Sequence, residues 1–272
     1  MQSTPGVRPL RFADLAAAIE LSAAAGWNQT EDDWRMLLEL APQGCFGIDS
    51  DGKLVATTTL LPYGQQLAWI GMVLTQPSYR HRGFARTLLA HALAKADSLG
   101  IKTLKLDATD QGQPLYEKLG FKAEGTIERW SRPGSANLPV NAEESHSDLA
   151  LAPDLVAFGA DRSALLARLA TRSQVHSVPD AYLFARAGRR TAYLGPCVAR
   201  DPQSARTLIT RTLKATISGA WSWDLLPKNR NAIALASELG FIRKRVLTRM
   251  ARGEPLLGRD DMIYAIAGFE LG

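Results

Sequence analysis

A concentrated group of basic residues lies at residues 76–89, QPSYRHRGFARTLL. Arg80, Arg82 and Arg86 surround one glycine, Gly83, at the start of a segment whose apolar residues recur at helical spacing. The N-terminus of a helix is already positive, so added cations raise the electrostatic energy unless an anion is bound. Gly83 can take a positive φ, and successive N–H groups at such a corner form a concave anion site. The stretch therefore predicts an anion site; a basic helix cap facing solvent is the alternative.

The flanking segments predict a mixed α/β domain that would hold this loop at a sheet edge. A buried strand, LAWIGMVLT, precedes the loop, and a helix is predicted over residues 83–99. A strand (IKTLKLDAT), a short helix (QPLYEKLG) and a last strand (FKAEGTIERWS) follow. Upstream, Thr30 is the predicted N-cap of a helix, and Asp51-Gly52 the turn of a hairpin.

The second half of the sequence repeats the end of the first. LGF occurs at residues 119–121 and again at 239–241, and a buried strand ending before a proline precedes each copy. From Pro77 to Leu119 there are 42 positions, but from Pro202 to Leu239 only 37. The five missing residues fall where the arginine-glycine loop would be, which indicates a duplication whose second copy lacks the loop.

Two motifs carry a resemblance to a known family. Arg80-His81-Arg82-Gly83-Phe84-Ala85 resembles the (Q/R)xxGx(G/A) acyl-CoA pyrophosphate loop of the GNAT N-acetyltransferase superfamily, and LYEKLGF, residues 115–121, resembles its LYxKxGF helix–strand junction. The resemblance covers residues 5–133, and the second half resembles the degenerate second domain of tandem members. It implies an α/β fold with a mixed sheet and two GNAT-like domains in tandem. Residues 1–133 would bind acyl-CoA and catalyse, 134–148 would be a linker, and 149–272 a degenerate domain that shapes the acceptor site.

The resemblance also implies how the chain binds acyl-CoA. The strand before the loop is expected to splay from its neighbour at a bulge, with Gly71 as the distortion point. An N–H of Met72 or Val73 would polarise the thioester carbonyl, a contribution of about 2.7–4 kcal/mol in the transition state. The residues predicted to bind acyl-CoA are Met72, Val73, Leu74, Arg80, His81, Arg82, Gly83, Phe84, Ala85 and Arg86.

Tyr116 matches the family's tyrosine that faces the CoA sulfur. A phenol is protonated at neutral pH, so it can donate a proton to the departing thiolate. The alternative is a core tyrosine whose hydroxyl is satisfied. One departure from the family is Thr109, which stands where many members carry Asn.

The acceptor amine must lose a proton, and the predicted general base is Asp107, at the end of a strand. Asp110 is the second candidate, and a turn-capping role is the alternative for either carboxylate. Trp27 and Asn28, between the first two helices, are predicted to bind the acceptor, as is Trp223. For the tryptophans, burial in the core is the competing interpretation.

We therefore expect an acetyl-CoA-dependent N-acetyltransferase that acts on a primary amine, with a small molecule favoured, by direct transfer in a ternary complex. A non-catalytic acyl-CoA sensor and a protein N-acetyltransferase are the alternatives. The formal net charge of +5 falls in the second half, where basic residues are scattered without a nucleic-acid signature. We expect no nucleic acid, membrane or metal partner, a cytoplasmic monomer or homodimer, and no acyl-enzyme on Cys45 or Cys197.

Overall fold

A computed structural model describes residues 6–134, 152–215 and 219–272 of the chain. The predicted linker, residues 134–148, lies outside the described residues except for Gly134. No helix in these three ranges is long and apolar enough to cross a membrane.

The first half forms the mixed α/β order that the sequence predicts. Thr30 caps α2 in a capping box with Asp33, whose carboxylate accepts the Thr30 N–H at 2.7 Å. Asp51 and Gly52 take positive φ values at the hairpin turn. Both local predictions are confirmed. The elements are β1 (Val7–Pro9), α1 (Leu15–Ala24), α2 (Glu31–Leu40), β2 (Cys45–Ser50), β3 (Lys53–Tyr63), β4 (Leu67–Thr75), α3 (Phe84–Ser98), β5 (Thr103–Ala108), α4 (Gln113–Lys118) and β6 (Lys122–Arg132).

The second half repeats the order β4-α3-β5-α4-β6 as β9-α7-β10-α8-β11. Helix α7 begins at Pro202, three residues after β9 ends, whereas α3 begins only at Phe84, nine residues after β4 ends. The deletion inferred from the sequence therefore falls at the strand–helix corner. The elements are α5 (Ala152–Phe158), α6 (Ser163–Ala170), β7 (Ser173–Val178), β8 (Ala181–Arg186), β9 (Ala192–Ala199), α7 (Pro202–Ala215), β10 (Trp221–Leu225), α8 (Arg230–Glu238), β11 (Ile242–Gly253) and β12 (Ile263–Ala265).

The two halves share one sheet because each half contributes a long strand, β6 or β11, to the other. The strand order is β1-β2-β3-β4-β5-β11-β6-β10-β9-β8-β7, with β12 paired to β9. Strand β11 of the second half lies antiparallel between β5 and β6, and β6 of the first half lies antiparallel between β11 and β10. Each half is thus completed by a strand of the other.

Two buried ion pairs each join a strand of one half to a strand of the other. Arg249 of β11 binds both carboxylate oxygens of Asp107 on β5, at 2.8 and 2.9 Å. Arg129 of β6 binds both oxygens of Asp224 on β10, at 2.7 and 2.6 Å. Arg129 and Arg249 are 120 positions apart, the same separation as the two LGF motifs. The pairs are therefore equivalent positions of a duplicated architecture.

The cores show that the halves pack as one body. On one face of the sheet, α3 and α4 cover the first half and α7 and α8 cover the second, each over its own apolar cluster. On the other face, α1, α2, α5 and α6 share one continuous cluster that takes residues from both halves. A site on that shared face can therefore take residues from both halves.

Candidate functional site

Strands β4 and β5 open a gap in the first half of the sheet. They pair in parallel only at their starts, where residues 67–69 face 103–105. On its other side, β4 shifts register against β3 between Thr57 and Thr59. Met72 takes a positive φ of 48° inside this bulge, and neither Met72 nor Val73 is paired in register with β3 or β5. The Met72 carbonyl accepts the Thr57 hydroxyl at 2.8 Å, which leaves the N–H groups of Met72 and Val73 for a ligand in the gap.

Gly71 is required for a close backbone contact and is not the distortion point of the bulge. The sequence predicts the distortion at Gly71, but the bulge residue with positive φ is Met72. A Cβ on Gly71 would lie 2.7 Å from the backbone oxygen of Glu270. The glycine therefore permits the segment of residues 266–272 to cross β4 closely.

A cleft of about 930 Å³ begins at this gap. Its walls include Tyr116 and nine of the ten residues predicted to bind acyl-CoA, from the β4 bulge and the loop before α3. The exception is Arg82, whose guanidinium donates to the Ser78 carbonyl at 3.1 Å and stacks on the Tyr79 ring at 4.7 Å. Residues of the second half, among them Arg245 and Glu270, close the other side.

The loop before α3 has the backbone geometry of an anion site. His81 and Gly83 have φ values of 62° and 85°, and Gly83 is the N-cap of α3. The first N–H groups of a helix lack intrahelical acceptors, and the helix dipole adds positive potential there. Arg80 and Arg86 are exposed and line the cleft beside these N–H groups. This corner can hold phosphate oxygens.

Tyr116 lies in the cleft wall on α4. Its ring packs edge-on against Phe121 at 6.1 Å between centroids, and the residue is buried. Burial raises the pKa of the phenol, which therefore stays protonated at neutral pH. Thr109 also lines the cleft, and its hydroxyl accepts the Gly112 N–H at 3.2 Å at the start of α4.

Asp107 is held as an ion-pair partner. Its side chain is fully buried, and both oxygens are bound by Arg249, whose guanidinium lies over the Trp69 ring. Burial raises the pKa of Asp107, while the Arg249 charge opposes that shift. Asp224 makes the same contact in the second half. Asp107 thus lines the cleft with both of its oxygens bound by Arg249.

Of the three residues predicted to bind the acceptor, one lines the cleft and two do not. Trp27 lines the cleft. Asn28 does not: its amide oxygen accepts the N–H groups of Arg190 and Thr191 at 2.6 and 3.1 Å, and its amide nitrogen donates to the Thr191 carbonyl. Trp223 is fully buried in the core of the second half, where its indole N–H donates to the Tyr264 carbonyl at 2.7 Å. Asn28 and Trp223 therefore hold the fold together.

Glu270 is the cleft residue that sequence reasoning missed. The segment of residues 266–272 is fixed against the first half by the Trp69 indole N–H, which donates to the Phe269 carbonyl at 2.8 Å. The Glu270 side chain is buried, and its Oε1 has no hydrogen-bond partner; Oε1 of Gln29 in the same cleft has none either. Burial raises the pKa of Glu270, and the nearby Asp33 carboxylate adds to the shift. Arg186 and a hydrogen bond from the Gln29 side chain oppose it. No periodicity in GFELG indicated this position.

The corresponding gap in the second half is filled by the chain itself. Strand β12 pairs with β9 at Val198 and Cys197, and the Ile266 N–H donates to the Asp224 carbonyl on β10 at 3.1 Å. Gly195, at the position equivalent to Gly71, would place a Cβ 2.3 Å from the Ile266 oxygen. The space that a ligand would need between β9 and β10 is therefore occupied.

Within the described ranges, no group of three or more His, Cys, Asp or Glu residues could hold a metal ion. The cleft brings together one phenol, a buried carboxylate with an unpartnered oxygen, an anion site and a backbone bulge.

Comparisons with known proteins place both halves in one family. The model of the acetyltransferase (GNAT) family matches residues 15–121, and that of the acetyltransferase (GNAT) domain matches residues 151–265. An uncharacterized N-acetyltransferase of Bacillus subtilis strain 168, YitH, is 29% identical over 245 residues, which are 84% of each chain.

Solved structures with the same fold include single chains of similar length. A putative acetyltransferase from Pyrococcus horikoshii superposes with a TM-score of 0.86 at 19% identity, over 100% of this chain and 99% of that one. A tandem GNAT protein from the clavulanic acid biosynthesis pathway gives a TM-score of 0.61 at 17% identity, over 93% and 99%. With two GNAT domains matched in tandem, the chain belongs to the GNAT acetyltransferases and is an acyltransferase.

Proposed function

We propose that the chain transfers an acetyl group from acetyl-CoA directly to a primary amine of a small molecule, in a ternary complex. One observation carries this proposal. A single cleft joins the anion site before α3, the N–H groups of the β4 bulge, and the buried carboxylate of Glu270, whose Oε1 has no partner.

The first half supplies the acyl-CoA site in this scheme. Arg80, Arg86 and the N–H groups of the α3 N-terminus bind the pyrophosphate. An N–H of Met72 or Val73 donates to the thioester carbonyl oxygen and stabilises the charge that develops there. The residues present fit the co-substrate, since the gap between β4 and β5 is open beside the bulge.

The proposed reaction takes one proton from the amine and gives one to the departing sulfur. Glu270 takes a proton from the amine, directly or through water, as the C–N bond forms; Tyr116 gives a proton to the sulfur as the C–S bond breaks. We assign the base to Glu270 instead of Asp107, because Glu270 has an unpartnered oxygen in the cleft and Asp107 has both oxygens bound.

We further propose that the second half binds no acyl-CoA and is the degenerate copy. It lacks the arginine-glycine loop, β12 occupies its gap, and Ala236 stands where the first half has Tyr116. Its contribution is to the acceptor side of the cleft, through β11 and residues 269–270. Walls from both halves narrow that side, which favours a small amine over a protein side chain.

A screen of primary amines for free thiol released from acetyl-CoA tests the proposal, with the acetylated product identified by mass. We expect turnover with wild type, loss of at least about 100-fold in kcat for Glu270→Gln, and unchanged acetyl-CoA affinity by calorimetry. Acetyl-CoA binding without turnover for any amine would instead support a non-catalytic sensor. Turnover with peptides but not with small amines would support a protein N-acetyltransferase.

A further inference from the structure

Arg245 is a cleft cation with no partner in the described parts of the chain. It lines the cleft from β11, and its exposed guanidinium takes part in no hydrogen bond or ion pair among these residues. The other arginine on this side of the cleft, Arg129, is neutralised by Asp224 and lies over the Phe269 ring at 4.4 Å. Asp110 acts on Arg245 electrostatically but is not within ion-pair distance. The guanidinium of Arg245 is therefore exposed in the cleft without a direct ion-pair partner among these residues.

A strand irregularity determines which residue Arg245 faces across the sheet. The register of β11 against β6 shifts between Arg243 and Arg245, so that Lys244 is the extra residue and Arg245 stands directly opposite Arg129. Like charges in direct cross-strand positions destabilise a sheet. Desolvation and the Arg129 charge lower the pKa of Arg245. An anion bound in the cleft would interact favourably with Arg245, since Arg129 is already paired with Asp224.

The fold itself does not require a side chain at this position. The equivalent residue of β6, 120 positions earlier, is Gly125, which faces Arg249 as Arg245 faces Arg129. The duplicated architecture therefore tolerates the absence of any side chain here. The arginine is a feature of the open cleft alone.

We propose that Arg245 binds an anionic group, a carboxylate or a phosphate, that is carried by the acceptor amine. The inference rests on the proposed function, since it concerns the acceptor of the same site. The unpartnered oxygens of Glu270 and Gln29 receive the N–H groups of the amine, and the guanidinium receives the anion in a bidentate contact. Trp27 and Phe269 offer aromatic surface to the part of the acceptor between these groups.

Matched amines test this assignment by two measurements. The first is kcat/KM for α-amino acids against their decarboxylated amines, and for phosphoethanolamine against ethanolamine, which separates carboxylate from phosphate. The second is calorimetric binding of the same amines to the CoA-saturated protein, which needs no turnover. Both use wild type, Arg245→Ala and Lys244→Ala. Lys244→Ala is the matched control, because it removes one positive charge from the bulge outside the cleft.

We expect anionic amines of one kind to be preferred over their neutral partners, and Arg245→Ala to weaken them by about 10- to 100-fold. Neutral amines and the Lys244→Ala protein should change less than about twofold. Equal use of neutral and anionic amines by wild type would overturn the inference, as would a loss of acetyl-CoA affinity in Arg245→Ala. If no amine is acetylated, the proposed acetyl transfer is wrong, but binding of anionic amines that depends on Arg245 still supports the anion site. If anionic amines do not bind in an Arg245-dependent way, the anion site is wrong.

Discussion

Replacement of Asp107 by Asn tests whether this carboxylate has a structural or a catalytic role. Arg249 would remain with its side chain 12% exposed and without the carboxylate that neutralises it. Removal of one partner from a buried ion pair costs about 3–5 kcal/mol of unfolding free energy. For a chain of this size, that loss lowers Tm by roughly 6–20 °C.

The assay is thermal unfolding followed by circular dichroism, with kcat measured well below the transition. Asp97→Asn is the control, because Asp97 is exposed on α3 and its loss should change stability by less than about 0.5 kcal/mol. The double variant Asp107→Leu with Arg249→Met should recover most of the lost stability, since it removes both charges and keeps apolar volume.

A particular result would refute this reasoning. If Asp107→Asn melts within about 1 °C of wild type while kcat falls about 100-fold or more, Asp107 is the general base and our assignment of Glu270 is wrong. Loss of stability with little change in kcat supports the ion-pair role.

Three further predictions concern the cleft. Gly83→Glu should weaken acetyl-CoA binding by more than about 100-fold, since a carboxylate enters the anion site; Gly52→Glu shares the positive-φ strain at a distant turn and should bind normally by calorimetry. Tyr116→Phe should lower kcat by about 100-fold or more at unchanged acetyl-CoA affinity; equal turnover would remove its acid role. Because the pKa of Glu270 is raised above 4.5 and only the carboxylate accepts a proton, kcat should rise with pH through that higher pKa. Glu270→Gln should abolish this acid limb; a limb that persists in the variant belongs to another group.

The parts of the molecule that sequence predicted well are those that neighbouring residues determine. Gly83 and the helix after it, the capping box at Thr30 and the Asp51-Gly52 turn depend on backbone preferences within a few positions. The loop and LYEKLGF motifs are local in the same sense. They were sufficient to predict residues that line one side of the cleft, where we propose that acyl-CoA binds.

The acceptor side could not be predicted because its residues come together only through long-range pairing. Alternation along β6 and β11 predicts strands but does not say which strand each will join. Arg249, 142 positions from Asp107, turns a candidate base into an ion-pair partner. Asn28 is likewise taken up by a loop more than 160 positions away. Glu270 belongs to a segment without regular structure, whose position depends on contacts with Trp69 and Tyr63.

The exchange of β6 and β11 explains how two copies of one domain can differ so much. In a symmetric dimer of identical chains with swapped strands, a deletion in the phosphate loop would appear in both sites at once. Here each copy is encoded separately. The second copy can therefore lack the loop and fill its gap with β12, while the first copy keeps its loop and its open gap. The second copy still supplies β11, without which β5 and β6 have no common neighbour. Because both copies lie in one chain, the second copy cannot dissociate from the first, although its sequence can diverge.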